Sequence, residues 1–104
     1  MEGCTLIELA TLISVVRLED NAYGSAIRID IEEFRGEPVP MASVYAALNR
    51  LERRRWLSVT TSRPLAVQGG RSKRLYRLTE AGRDSLQREK KMFTRLLQVL
   101  PRRF

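Results

Sequence analysis

Between Met41 and Thr79 the apolar residues change period once, and that change leaves few folds open to the chain. In the first part Val44, Ala47, Leu48 and Leu51 recur at the spacing of one helical face. After Trp56 the spacing falls to two. Leu57, Val59, Thr61 and Arg63 alternate on the way out, and Arg74, Tyr76 and Leu78 alternate on the return, with Leu75 and Arg77 on the other face. Pro64 and Gly69-Gly70 lie between them, followed by Arg71, Ser72, Lys73 and Arg74. The pattern predicts an amphipathic helix over about Ala42 to Arg54, then a two-stranded hairpin with a basic tip.

Charge follows the same division. From Pro38 to Thr79 there are nine Arg/Lys and one acid, Glu52, a net of +8. Residues 1–37 carry a net of −5, and the last 25 residues a net of +4. Positive charge gathered on one helix and hairpin suits a polyanion, and nucleic acid is the first candidate.

Upstream, residues from about Thr5 to Arg17 are nearly all apolar or small. Thr5 followed by Glu8 forms a capping box. A helix apolar on more than one face needs two partners, so this helix is read either as a central core helix or as one shared with a second subunit. Asp20-Asn21 signals a turn. Tyr23, Ile27, Ile31 and Phe34 then mark a second amphipathic helix ending at Arg35, with Gly36 at the position where a left-handed glycine is expected. Glu37-Pro-Val-Pro40 makes a short extended link, because proline pushes its predecessor out of the helical region. Two helices joined in this way, the second presenting polar and basic residues, form a helix-turn-helix pattern. After the hairpin, Thr79 reads as an N-cap of a last helix reaching about Leu100. Its stripe of Leu86, Phe93, Leu96, Leu97 and Leu100 suits a coiled-coil-like seam, and Pro101 stops it.

A chain of 104 residues is one domain with a small core, which a second subunit would help to complete. No apolar run is long enough to span a bilayer, no export signal precedes the first helix, and the lone Cys4 has no partner for a disulfide. A cytoplasmic location and no membrane association are therefore expected. Without histidine there is no zinc set and no Cys–His pair, and no phosphate-binding glycine loop is present. The acids read as solvated helix faces rather than a catalytic pair. Neither an enzyme nor a cofactor is expected.

Tyr23-Gly24, Ser43-Val-Tyr-Ala-Ala-Leu48, Arg50-Leu-Glu52 and Gly70-Arg-Ser-Lys-Arg-Leu-Tyr-Arg-Leu-Thr-Glu-Ala-Gly82 together resemble the PadR family of bacterial transcriptional regulators. The resemblance covers nearly the whole chain and is closest to the shorter branch with a single C-terminal helix. It implies a winged helix-turn-helix of α-α-α-β-β-α order, mainly α with a small hairpin. Residues 1–79 would be the DNA-binding part and residues 80–104 the dimerisation helix. It also implies a dimer built by the first and last helices, and binding to palindromic promoter sites, usually as a repressor. Two positions depart from the family pattern: Arg55 stands where a glycine precedes the first wing strand, and Ala46 where a proline follows the tyrosine.

On this reading the DNA contacts come from Ser43, Tyr45, Ala46, Asn49, Arg50 and Arg53 of the third helix and from Arg71, Ser72, Lys73 and Arg74 of the wing. Ser43 suits a phosphate at the helix N-terminus, Asn49 an adenine edge, and Arg50 a guanine or phosphate. The dimer seam is expected to include Leu6, Leu9, Ile13, Leu86, Phe93, Leu97 and Leu100. A small aromatic effector in that seam, near Met92, Phe93 and the first helix, is a further expectation. Tyr76 and Trp56 are read as packing residues. The alternative of a different class is a protein-interaction module without sequence-specific DNA binding.

Overall fold

The computed structural model describes residues 3–61 and 73–104. Within them lie α1 (Leu6–Leu18), a 3-10 turn (Glu19–Asn21), α2 (Gly24–Arg35), α3 (Met41–Arg53), β1 (Leu57–Thr61), β2 (Arg74–Leu78) and α4 (Glu80–Gln98). This is the expected order, with helix ends within two residues of the sequence reading. The chain folds as a winged helix-turn-helix.

The capping box at Thr5 forms in full. Thr5 Oγ1 accepts from Glu8 N–H at 3.2 Å, and Glu8 Oε1 accepts from Thr5 N–H at 2.8 Å. From there α1 runs through the centre of the molecule, packed against α2, α3, α4 and β2. Ala10, Leu12 and Val15 face the core with Ile27, Ile31, Val44, Leu48, Leu51, Leu57 and Tyr76. Its outer edge stays open, since Leu6, Ile13 and Val16 are exposed. One side of this helix is core, and the other has no cover among the described residues.

Two acids correct the expectation of solvated faces. Glu8 is 1% exposed and Asp30 is 7% exposed. Each is buried with partners: Asp30 accepts from Ser14 Oγ at 2.9 Å and pairs with Arg17 at 3.1 Å. Phe34, placed in the α2 stripe from spacing alone, is half-exposed. The Arg17 guanidinium covers its ring from 5.6 Å.

The α2–α3 turn is set by three groups. Gly36 takes φ 74° and returns its N–H to Glu32 O at 2.9 Å. Glu32 Oε2 accepts from Val39 N–H at 2.9 Å while its carboxylate also pairs with Arg28. Val39 itself is buried and anchors the link.

The hairpin pairs antiparallel with Leu57 opposite Leu78 and Val59 opposite Tyr76. Its root docks on the start of α2. Tyr76 N–H donates to Ala22 O at 3.0 Å, and Leu75 bridges to Tyr23. At the junction of α3, β1 and α4 the backbones approach closely. Arg55 adopts φ 63°, the left-handed conformation that glycine supplies in the family pattern. Its carbonyl accepts from Thr79 Oγ1 at 2.6 Å, and Thr79 N–H donates to Trp56 O at 3.0 Å. Gly82 sits so close that a Cβ there would lie 2.0 Å from Trp56 O.

Candidate nucleic-acid interface

The inward stripe of α3 is complete. Val44, Ala47, Leu48 and Leu51 are fully buried. Helical geometry then turns the residues between them outward, and Ser43, Tyr45, Ala46, Asn49 and Arg53 are all exposed. Pro40 caps α3 without a side-chain hydrogen bond. Ser43 and Val44 N–H donate to Pro40 O at 3.0 and 3.3 Å, which leaves the N–H groups of Met41 and Ala42, just ahead of Ser43, for an external acceptor. Tyr45 lies half against α2. A Cβ on Gly24 would come within 3.0 Å of its ring, so glycine at that position admits the aromatic group.

The wing reaches the same face through its root. Lys73 Nζ stands 5.1 Å from the centre of the Tyr23 ring, at the start of α2. Arg74 pairs with Glu52 Oε1 on α3 at 3.1 Å and lies over Tyr76 at 5.9 Å. Glu52, the single acid of the basic block, therefore ties β2 to α3. Arg71 and Ser72 lie outside the described residues, as does the glycine turn at Gly69-Gly70.

Not every arginine of the block faces outward. Arg54 lies over the Trp56 ring at 4.9 Å and donates to Gly3 O at 3.3 Å, on the side of α4. Arg50 donates from Nε to Glu8 Oε2 at 2.7 Å and is partly buried. Burial alone would raise the Glu8 pKa. The Thr5 N–H and Arg50 hydrogen bonds, helped by the nearby charge of Arg54, outweigh it and hold the carboxyl below its usual range. Sequence reasoning missed this pair because the capping box already accounted for Glu8. The overlooked signal was an acid between Ile7 and Leu9 in an otherwise apolar helix.

Leu9, Ile13, Val16, Leu86, Phe93 and Leu97 line one groove between α1 and α4, of about 490 Å³. The sequence-derived seam residues are thus brought together, with Leu6 and Leu100 exposed beyond the groove's lining. Met92 is not with them. It lines a separate groove of about 570 Å³ with Gly3, Arg54, Trp56, Ser85, Arg88 and Glu89. The expected grouping of Met92 with Phe93 fails because adjacent helical residues point about 100° apart. Trp56 packs against the core as expected, with one face open to this second groove.

Among the described residues no helix is long and apolar enough to cross a membrane, and no group of His, Cys, Asp and Glu could hold a metal ion. Cys4 has its thiol pKa pushed up to about 11, first by burial and then by Glu89 and Glu8, which leaves it protonated and unreactive at neutral pH.

The profile described as the transcriptional regulator PadR-like family matches residues 12–88. A PadR family transcription regulator from Clostridium difficile superposes with a TM-score of 0.68 at 28% identity, covering 88% of this chain and 92% of that one. A PadR-like transcriptional regulator from Bacillus cereus superposes with a TM-score of 0.72 at 19% identity, covering 90% of this chain and 86% of the other. The PcaV transcriptional regulator from Streptomyces coelicolor, solved in complex with its natural ligand, gives a TM-score of 0.73 at 22% identity, covering 94% of this chain and 61% of that protein. No curated protein matches the sequence.

Proposed function

The chain belongs to the PadR-like family of transcriptional regulators, and from that membership we propose that it is a dimeric repressor gripping a palindromic operator with α3 and the wing. One observation carries the reading: α3 buries its whole apolar stripe and turns Ser43, Tyr45, Ala46, Asn49 and Arg53 outward beside an uncapped helix start and Lys73. Ser43, Lys73 and Arg74, joined by Arg71 and Ser72 of the wing tip, take phosphates and set register, while Asn49 and Arg53 read base edges. Residues 1–79 form the DNA-binding part, and residues 80–104 the dimerisation helix.

The dimer is supported by the apolar residues left without cover. Leu6, Leu9, Ile13, Leu86, Phe93, Leu97 and Leu100 build the seam, and a palindromic operator requires that seam to hold two copies of α3 about 34 Å apart, one turn of DNA. The α1–α4 groove, closed by the second subunit, takes a small aromatic effector. Such a ligand weakens operator binding only by preferring a seam geometry that misplaces the two helices. The protein acts in the cytoplasm, and no catalytic step is part of the reading.

The test is selection of duplexes by the protein from a randomised pool, followed by titration of the selected duplex and its scrambled counterpart across salt. The selected duplex should bind more tightly, and both affinities should fall steeply with salt as counterions are released. Equal affinity for the two at every salt concentration would favour a protein-interaction module instead. Binding unchanged by a broad set of planar aromatic compounds would remove the effector.

A further inference from the structure

We propose that the Glu8–Arg50 pair is a positioning strut, fixing the recognition helix α3 to the seam helix α1, and that Arg50 acts on DNA only by setting where α3 lies. This rests on the DNA-binding reading above. The bond joins positions 42 residues apart at 2.7 Å, so it is a tertiary tie between two elements. Its geometry is that of a charge-assisted hydrogen bond, short and directional. The buried contacts of Val44, Leu48 and Leu51 hold α3 against the body but are non-directional, and they constrain its sliding less.

Glu8 cannot follow Arg50 elsewhere. It is buried, and its other oxygen is held by Thr5 N–H at 2.8 Å. If Arg50 turned to DNA it would leave that carboxylate without its partner in the interior, a costly state. Arg50 is therefore retained on the protein side, one residue from the outward Asn49. The anchor also sits beside the seam, since Leu9, next to Glu8, and Ile13 line the α1–α4 groove. A shift of α1 at the seam passes through one bond to the helix carrying Tyr45, Asn49 and Arg53. The pair thus governs which sequence is chosen, not how many phosphates are held.

Glu8→Gln isolates the tie: with its oxygen kept on Thr5 N–H the capping box survives, while the amide NH2 replaces the Oε2 that accepted from Arg50, so both the charge and the acceptor holding Arg50 are lost. Wild type, Glu8→Gln and Glu8→Gln/Arg50→Gln are titrated with the duplex selected by the wild-type protein and with its scrambled counterpart, across salt. Melting and sedimentation on each variant establish that it is folded and associated as wild type. The expected result is a loss of discrimination of about tenfold in Glu8→Gln, no further loss in the double variant, and an unchanged salt slope in both. A double variant whose slope falls by about one per subunit would make Arg50 a phosphate contact and overturn the strut. So would full discrimination in Glu8→Gln. Wild type failing to discriminate would overturn the DNA-binding reading itself, and the strut with it. A second readout needs no variant: the Arg50 Nε–H resonance of the wild-type protein. It should stay protected and unshifted when the selected duplex is added, and a shift to a new position would show Arg50 leaving Glu8 for DNA.

Discussion

At the residue scale the fold depends on a few positions where one atom decides. Glu8 is the clearest. Its folded pKa lies below the usual 4.5, because the Thr5 and Arg50 hydrogen bonds outweigh the opposing effect of burial. A carboxyl depressed in this way contributes stability that is fully present above its unfolded pKa and lost as pH falls through the folded value. Thermal unfolding should therefore lose stability below about pH 4.5 in the wild type and depend less on pH in that window in Glu8→Gln. Identical pH profiles would show that the carboxylate is not a stabilising group. Gly82 and Arg55 form a second such pair of positions. Gly82→Ala places a Cβ 2.0 Å from Trp56 O, against backbone that cannot yield cheaply, and should cost more than about 2 kcal/mol in urea unfolding. Arg55→Gly relieves a φ of 63° and should stabilise by up to about 1 kcal/mol. A Gly82→Ala protein as stable as wild type would mean that the junction is looser than its geometry.

At the element scale, α3 and the wing meet the outside as a unit because β2 is tied both to the segment leading into α2, through Ala22, and to α3, through Arg74–Glu52. The exposed ion pair is worth no more than about 1 kcal/mol, so it orients the strand rather than holding the fold. Lys73→Ala should weaken selected and scrambled duplexes alike and reduce the salt slope by about one per subunit, as expected for a phosphate contact. A loss confined to the selected duplex would assign Lys73 to base reading. Far from this face, α4 is attached by its first turns. Thr79 caps it, Gly82 seats on Trp56 O, and Glu89 Oε1 accepts from Cys4 N–H at 3.1 Å. Beyond Glu89 its apolar residues Met92, Phe93, Leu96 and Leu97 are exposed, as is Leu100 just past its end.

At the scale of the whole molecule, shape argues for a partner. A compact chain of this length would have a radius of gyration of about 13 Å, and this one has 15.5 Å, with its longest dimension at 57 Å. The second half of α4, exposed along its length, carries the uncovered stripe. Sedimentation at micromolar concentration should show a dimer. Phe93→Asp should convert it to monomer or unfolded chain, since burying an unpaired charge at the seam is costly. A stable wild-type monomer would remove the seam and leave the α3 face without its second half-site.

The element order, the buried stripe of α3, the capping box at Thr5, the glycine end of α2 and the face that α3 turns outward were all legible along the chain. These are local matters: period, cap and turn chemistry act within a few residues and read directly along the chain. Membership in the family was legible for the same reason, through short segments such as Ser43-Val-Tyr-Ala-Ala-Leu48 in fixed order. Packing in three dimensions was needed to show which charged residues are already engaged inside the molecule. Arg50 is held by Glu8 from across the fold, Arg54 turns to Trp56, and Arg74 is shared with Glu52. The separation of Met92 from Phe93 into two grooves belongs to the same class. Periodicity gives the direction of a side chain on its own helix. Which group meets it depends on how distant segments pack, and long side chains such as arginine reach partners that no spacing rule contains.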